Sequence, residues 1–185
     1  LAISAITQGS DDIIYVGTGE SPDGSVYGHG STGSSSSGLP GKGVYKSTDG
    51  GISFQLLPAT VPTYEEGVFY DLDWAFIKSI EVSPVNSNWV YVATSNGLQM
   101  SQDGGNTWSK ANGIAANSVA YSIAIAEDGK THVVADSTYY QAEDGLNFTS
   151  KLVVEPDVFS LSIRNKVIAM SPSNNDYLYI VTLRH

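Results

Sequence analysis

The chain is 185 residues long, 41% hydrophobic and 15% charged, with 9 basic against 19 acidic residues and a net charge of −10. That length and apolar content suffice for one domain with a sizeable core, while the acidic balance works against nucleic acid and anionic membrane surfaces, which reward clustered lysine and arginine. The absence of cysteine excludes a disulfide framework and any thiolate-held metal, and no apolar run approaches the roughly 18 residues of a membrane span.

Taken in order, residues 1–6 alternate weakly and lead into the turn cluster Gln8-Gly9-Ser10-Asp11-Asp12, which predicts a first strand and its turn. Residues 13–18, Ile-Ile-Tyr-Val-Gly-Thr, have the β-branched and aromatic content of a buried strand. The same figure returns at 89–94 as Trp-Val-Tyr-Val-Ala-Thr and at 177–182 as Tyr-Leu-Tyr-Ile-Val-Thr. Ser83-Pro84-Val85-Asn86 and Ser171-Pro172-Ser173-Asn174 stand at one distance before the last two, and Tyr91 to Tyr179 is 88 positions, or two repeats of 44. The intervening repeat shows at 122–135, with Glu127-Asp128-Gly129 as its turn. A period of about 40 to 45 residues carrying four short strands predicts the blades of a β-propeller.

A second motif sits inside this period. Residues 43–54 read Gly-Val-Tyr-Lys-Ser-Thr-Asp-Gly-Gly-Ile-Ser-Phe and residues 97–108 read Gly-Leu-Gln-Met-Ser-Gln-Asp-Gly-Gly-Asn-Thr-Trp. Both contain Ser-x-Asp-x-Gly-x-x-aromatic, as Ser47, Asp49, Gly51, Phe54 and as Ser101, Asp103, Gly105, Trp108; a worn third copy reads as Gln141, Glu143, Gly145, Phe148. A short carboxylate can accept hydrogen bonds from the turn it sits in, glycine takes the positive-φ position, and the aromatic opens the next strand. This spacing resembles the Asp-box, or BNR repeat, of sialidase-like, sortilin-like and xyloglucanase-like propellers. The resemblance implies a structural hairpin, distant from any active site.

The expected fold class is therefore all-β, a propeller of four-stranded antiparallel blades with Asp-box hairpins, incomplete at about three and a half blades. Blade one spans 1–57 with an insertion at 19–42, blade two 77–110, blade three 121–152, and a half blade 166–183. Closure typically takes about 4 to 8 blades, so the sequence reads as a fragment of a longer protein, with the remaining blades or another chain closing the ring. Its opening at Leu1 reads as the middle of a fold, with any targeting signal removed or lying outside it.

Strands alternate in direction, so the short turns share one face and the long connections at 19–42, 58–75 and 153–165 share the other, where recognition is usual. The first connection carries Tyr27 and His29 in a flexible Ser/Gly run and reads either as a solvated excursion or as a ligand contact. The second carries Tyr64, Glu65, Glu66, Phe69, Tyr70, Asp71, Asp73 and Trp74. Aromatics among carboxylates suit sugar stacking or a protein hot spot; alternatively Phe69 and Trp74 pack under the loop and the acids face water.

A sialidase site needs three arginines, and only Arg164 and Arg184 are present. A xyloglucanase-like site needs paired carboxylates after the second strands, where this chain has Gly19, Ser95 and the one candidate Asp136. The three histidines show no metal-ligand spacing, and no cofactor is implied. Asn147-Phe148-Thr149 fits a glycosylation sequon. Tyr15 to Ser21, Tyr-Val-Gly-Thr-Gly-Glu-Ser, with the following insertion and Asp-box, resembles BNR blades of secreted bacterial surface proteins such as type 9 secretion cargo. That resemblance implies a non-catalytic, secreted or cell-surface scaffold binding protein or glycan through its long-loop face. The alternatives are a fragment of a glycoside hydrolase completed by other blades and a sortilin-like peptide-binding propeller.

Overall fold

The structure is a computed structural model that describes residues 1–9, 12–20, 39–63, 73–115, 117–153, 163–171 and 174–184. The strands β1 (Ile3–Gln8), β2 (Ile14–Thr18), β3 (Val44–Ser47) and β4 (Gln55–Leu56) form an antiparallel sheet in that order. A second sheet repeats the plan with β5 (Ile77–Val82), β6 (Val90–Thr94), β7 (Gly97–Ser101) and β8 (Ser109–Lys110). The third has β9 (Ala120–Ile125), β10 (Thr131–Ala135), β11 (Thr138–Ala142) and β12 (Thr149–Val153), and a fourth has the pair β13 (Ile163–Ser171) and β14 (Asn174–Arg184). The chain is thus all-β, an incomplete propeller of antiparallel blades. A single 3-10 turn, Pro58–Thr60, interrupts the strands among the described residues.

The repeated Tyr-containing runs become β2, β6 and β14, the second strand of their sheets. All five residues of β6 are buried, because its sheet is covered on both faces. Two core clusters do this. One, between the first and second sheets, gathers Tyr15, Val44, Trp74, Ile80 and Val92. The other, between the second and third, gathers Tyr91, Leu98, Ile123, Val133 and Phe148. Neighbouring sheets meet through their first strands, β1 with β5, β5 with β9, and β9 with β13, so these line the centre of the array.

The fourth strands are shorter than the sequence predicts. β4 begins at Gln55 and β8 at Ser109, each one residue after the aromatic, Phe54 or Trp108, that was expected to open it. The cause is local: the backbone N–H groups of Ser53 and Thr107 donate to Asp49 and Asp103, so these residues belong to the turn.

Candidate functional site

The hairpins between third and fourth strands are built around one carboxylate. Asp49 Oδ1 accepts from Ser53 N–H at 2.9 Å and Oδ2 from the Ser53 hydroxyl at 2.6 Å, while the Ser47 hydroxyl donates to Oδ1 at 2.7 Å. Ser47 Oγ in turn accepts from Gly51 N–H at 2.9 Å. Asp103 repeats every bond with Thr107, Ser101 and Gly105. These bonds favour the ionised form, and they hold both carboxyls down to about 2, led by the hydroxyl bond from Ser53 or Thr107.

The third hairpin corrects the sequence reading. Its capping carboxylate is Asp144, one position after the expected Glu143. Asp144 accepts from Asn147 N–H at 2.8 Å and from Asn147 Nδ2 at 2.7 Å, and its carboxyl is likewise lowered to about 2. Gly145 has φ 72°, the conformation of Gly50 (70°) and Gly104 (72°), the first glycine of each pair. Ala142, fully buried, takes the place of Ser47 and Ser101, while Gln141 instead donates to an exposed Glu143 at 2.8 Å. One residue is missing after Gly145, which brings Phe148 into line with Phe54 and Trp108. The sequon amide of Asn147 is the capping donor of this hairpin.

These hairpins also join one sheet to the next. The Tyr15 hydroxyl on β2 donates to the Gly104 carbonyl at 3.1 Å, and the Tyr91 hydroxyl on β6 donates to the Gly145 carbonyl at 2.9 Å. Lys46 Nζ reinforces the first bond at 2.9 Å. The third sheet places His132 in this position, since Thr131 pairs with Ala142 as Ile14 pairs with Ser47. Its Nδ1 lies 2.8 Å from the Tyr139 hydroxyl, and its buried Nε2 has no hydrogen-bond partner among the described residues. No sequence motif marked these contacts; the shared Tyr of the three twin strands was their only trace.

Two residues of the predicted binding loop, Asp73 and Trp74, line a cleft of about 480 Å³ with Gln99, Trp108 and Lys110. Asp73 Oδ1 accepts from Asn96 Nδ2 at 3.0 Å and Gln99 Nε2 at 2.7 Å, and Lys110 Nζ lies 3.4 Å away. Trp74 is buried in the first core cluster and meets Trp108 edge to face, with centroids 5.2 Å apart. Asn106, Thr107 and Ser109 complete the wall from the hairpin side. The cleft therefore runs along the outer strands and draws on short turns as well as the long connection. Tyr27, His29, Tyr64, Glu65, Glu66, Phe69, Tyr70 and Asp71 lie outside the described residues.

Asp136 follows β10 in a left-handed turn, φ 46°. Its Oδ1 accepts from Val119 N–H at 2.9 Å, its own N–H donates to the Val119 carbonyl at 2.8 Å, and its carbonyl accepts from Lys166 Nζ. Among the described residues no group of three or more His, Asp or Glu converges as a metal would require.

No family model matches the sequence, and no curated protein matches it. Solved structures do. An ancestral GH74 enzyme is similar over 97% of this chain and 21% of its own, with a TM-score of 0.60 and 17% identity. The GH74 xyloglucanase from Xanthomonas campestris covers 97% of this chain and 26% of its own, with a TM-score of 0.61 and 13% identity. The extracellular domain of a one-component system of B. thetaiotaomicron covers 97% and 20%, with a TM-score of 0.58 and 15% identity. At such identities the likeness is one of fold, and it is to propellers. The chain spans about a fifth to a quarter of the length of these structures. No helix among the described residues is long and apolar enough to cross a membrane.

Proposed function

We propose that this chain is part of a BNR-repeat, or Asp-box, propeller of a secreted or cell-surface protein, and that it binds a saccharide without cleaving it. The observation that supports this reading is the rim cleft. A sugar offers an apolar ring face and a belt of hydroxyls. The cleft offers Trp108 beside Asp73, Gln99, Asn106 and Lys110, an aromatic wall ringed by donors and acceptors.

The second reading is a glycoside hydrolase fragment, favoured by the GH74 enzymes among the similar structures. Glycoside hydrolysis needs two opposed carboxyl groups, and the Asp136 carboxylate is engaged by the backbone N–H of Val119, just before β9. That geometry favours binding over turnover.

A panel of immobilised plant and bacterial oligosaccharides tests the proposal. The wild-type chain should retain at least one glycan with its length unchanged after incubation. Asp73→Asn and Trp108→Ala should each weaken retention about tenfold or more, a loss of ~1.4 kcal/mol. Shortened products, or no retained glycan, would overturn it.

A further inference from the structure

The lining of the rim cleft has a hydrogen-bond polarity, set by which ends of its polar groups the fold already engages. A primary amide has a nitrogen end that donates and an oxygen end that accepts, and its partner decides which end is left over. Gln99 gives its Nε2 to Asp73 Oδ1 at 2.7 Å, and Asn106 gives its Nδ2 to the Asp103 carbonyl at 2.6 Å. Neither side chain makes another hydrogen bond among the described residues, so the ends left over are two oxygens, Gln99 Oε1 and Asn106 Oδ1. Gln99 is 4% exposed and lines the cleft, so the cleft is where a donor meets its oxygen.

The hydroxyl and the indole of the same wall follow suit. Thr107 has one hydroxyl proton and gives it to Asp103 Oδ2 at 2.6 Å, which leaves Oγ1 its lone pairs alone. The Asp103 carboxyl sits at about 2, so at neutral pH it is ionised and holds that proton toward itself. Trp108 donates its N–H to the Gly105 carbonyl at 3.0 Å, so what its ring offers the cleft is carbon surface, set edge to face against Trp74. Lys110, the cation among the lining residues, stands 3.4 Å from Asp73 Oδ1.

We propose, building on the saccharide reading of this cleft, that it selects a neutral, hydroxyl-rich sugar and rejects uronic-acid and sulfated ones. Sugar hydroxyls bring the protons that Gln99 Oε1, Asn106 Oδ1 and Thr107 Oγ1 lack, and the apolar ring face meets Trp108. A carboxylate or sulfate brings acceptors only, and it would approach the Asp73 carboxylate and a lining of oxygens in a chain of net charge −10. Asp103 is then a positioning residue, which turns Thr107 and Asn106 so that their oxygens are the ends on offer. The first hairpin carries Ile52 and Phe54 where the second carries Asn106 and Trp108, with no amide to turn and no N–H to tie back.

The test presents the whole 185-residue chain with immobilised neutral oligosaccharides, each matched in linkage and length by uronate, sulfated and amino-sugar counterparts. Neutral members should be retained, and their charged counterparts about tenfold or more weakly. Replacing the hydroxyls of the best-retained glycan one at a time by fluorine removes the proton and keeps the size; at least one analogue should bind about fivefold or more weakly. Asn106→Ile, which installs the residue of the first hairpin, should weaken retention by a similar factor with Tm nearly unchanged. Asp103→Asn should weaken it as well, whereas Asp49→Asn, the same change in a hairpin outside the cleft lining, should not. Charged counterparts retained as well as neutral ones would overturn the selection and leave the saccharide reading standing. Undiminished binding of every fluorinated analogue, wild-type retention in Asn106→Ile, or equal losses in Asp103→Asn and Asp49→Asn would overturn the acceptor lining. Retention of no glycan at all would overturn both readings.

Discussion

Tyr91 and Tyr179 hold one place in the repeat, 88 positions apart, yet Tyr91 is fully buried and Tyr179 is 59% exposed. Both stand on the second strand of a sheet, opposite Glu81 and Ala169 in matching registers. The difference is what lies against them. Tyr91 has the third sheet, with Phe148 packed in the same cluster and the Gly145 carbonyl as acceptor. Among the described residues Tyr179 has no such cover. The first sheet shows the complementary lack: Phe54 is 41% exposed, where its counterpart Phe148 is buried. A blade's sequence therefore specifies half of an interface at each face, and the energy appears only where the two halves meet.

The largest test of that comparison is a pair of truncations. Tyr91→Ala removes a buried aromatic and leaves the Gly145 carbonyl without its donor, which should cost roughly 3 to 5 kcal/mol in urea unfolding. Tyr179→Ala, the same change at the same repeat position, should stay within about 0.5 kcal/mol, as exposed sites do. Equal losses at the two positions would mean that the tyrosine stabilises its own sheet and not the junction.

A smaller effect sharpens the hairpin register. Asp144→Ala should lower Tm by several degrees, as Asp103→Ala should, because each strips the acceptor from backbone N–H groups of the turn. Glu143→Ala should leave Tm nearly unchanged, since Glu143 is exposed and, among the described residues, pairs with the half-buried side chains of Gln141 and Lys130. The reverse ranking would restore the register read from sequence.

Much of this was legible before any coordinates. Period, strand order and the two complete hairpins follow from local rules, with alternation, β-branched content and turn chemistry acting within a dozen residues. What was not legible depended on partners far away in the chain. The third hairpin was misaligned because Glu143 matches the spacing, while Asp144 matches the hydrogen bonds after a one-residue deletion that spacing cannot reveal. Asp73 and Trp74 were singled out as loop residues, but Lys110 and Gln99 read as ordinary strand positions.

The smallest expected effect is the acid limb of stability, and its sign follows from the carboxyls of the three hairpins. Asp49, Asp103 and Asp144 sit at about 2 in the folded chain, against about 4 for an unperturbed aspartate. Above about pH 4 both states are ionised and the stabilisation is complete. As pH falls from there through 2, the unfolded chain takes up protons that the folded chain refuses, and stability drops. Glu81 works in the opposite sense, because burial raises its pKa and favours the folded state in acid. His132, pushed down by burial, adds a separate loss that begins as pH falls below about 6.5. Comparing wild type with Asp49→Asn, Asp103→Asn and Asp144→Asn between pH 5 and 2 cancels the Glu81 and His132 contributions. Each variant should start less stable and fall less steeply over that window. Parallel wild-type and variant curves would show that the carboxylate charge, unlike the turn it occupies, contributes nothing to the hairpin.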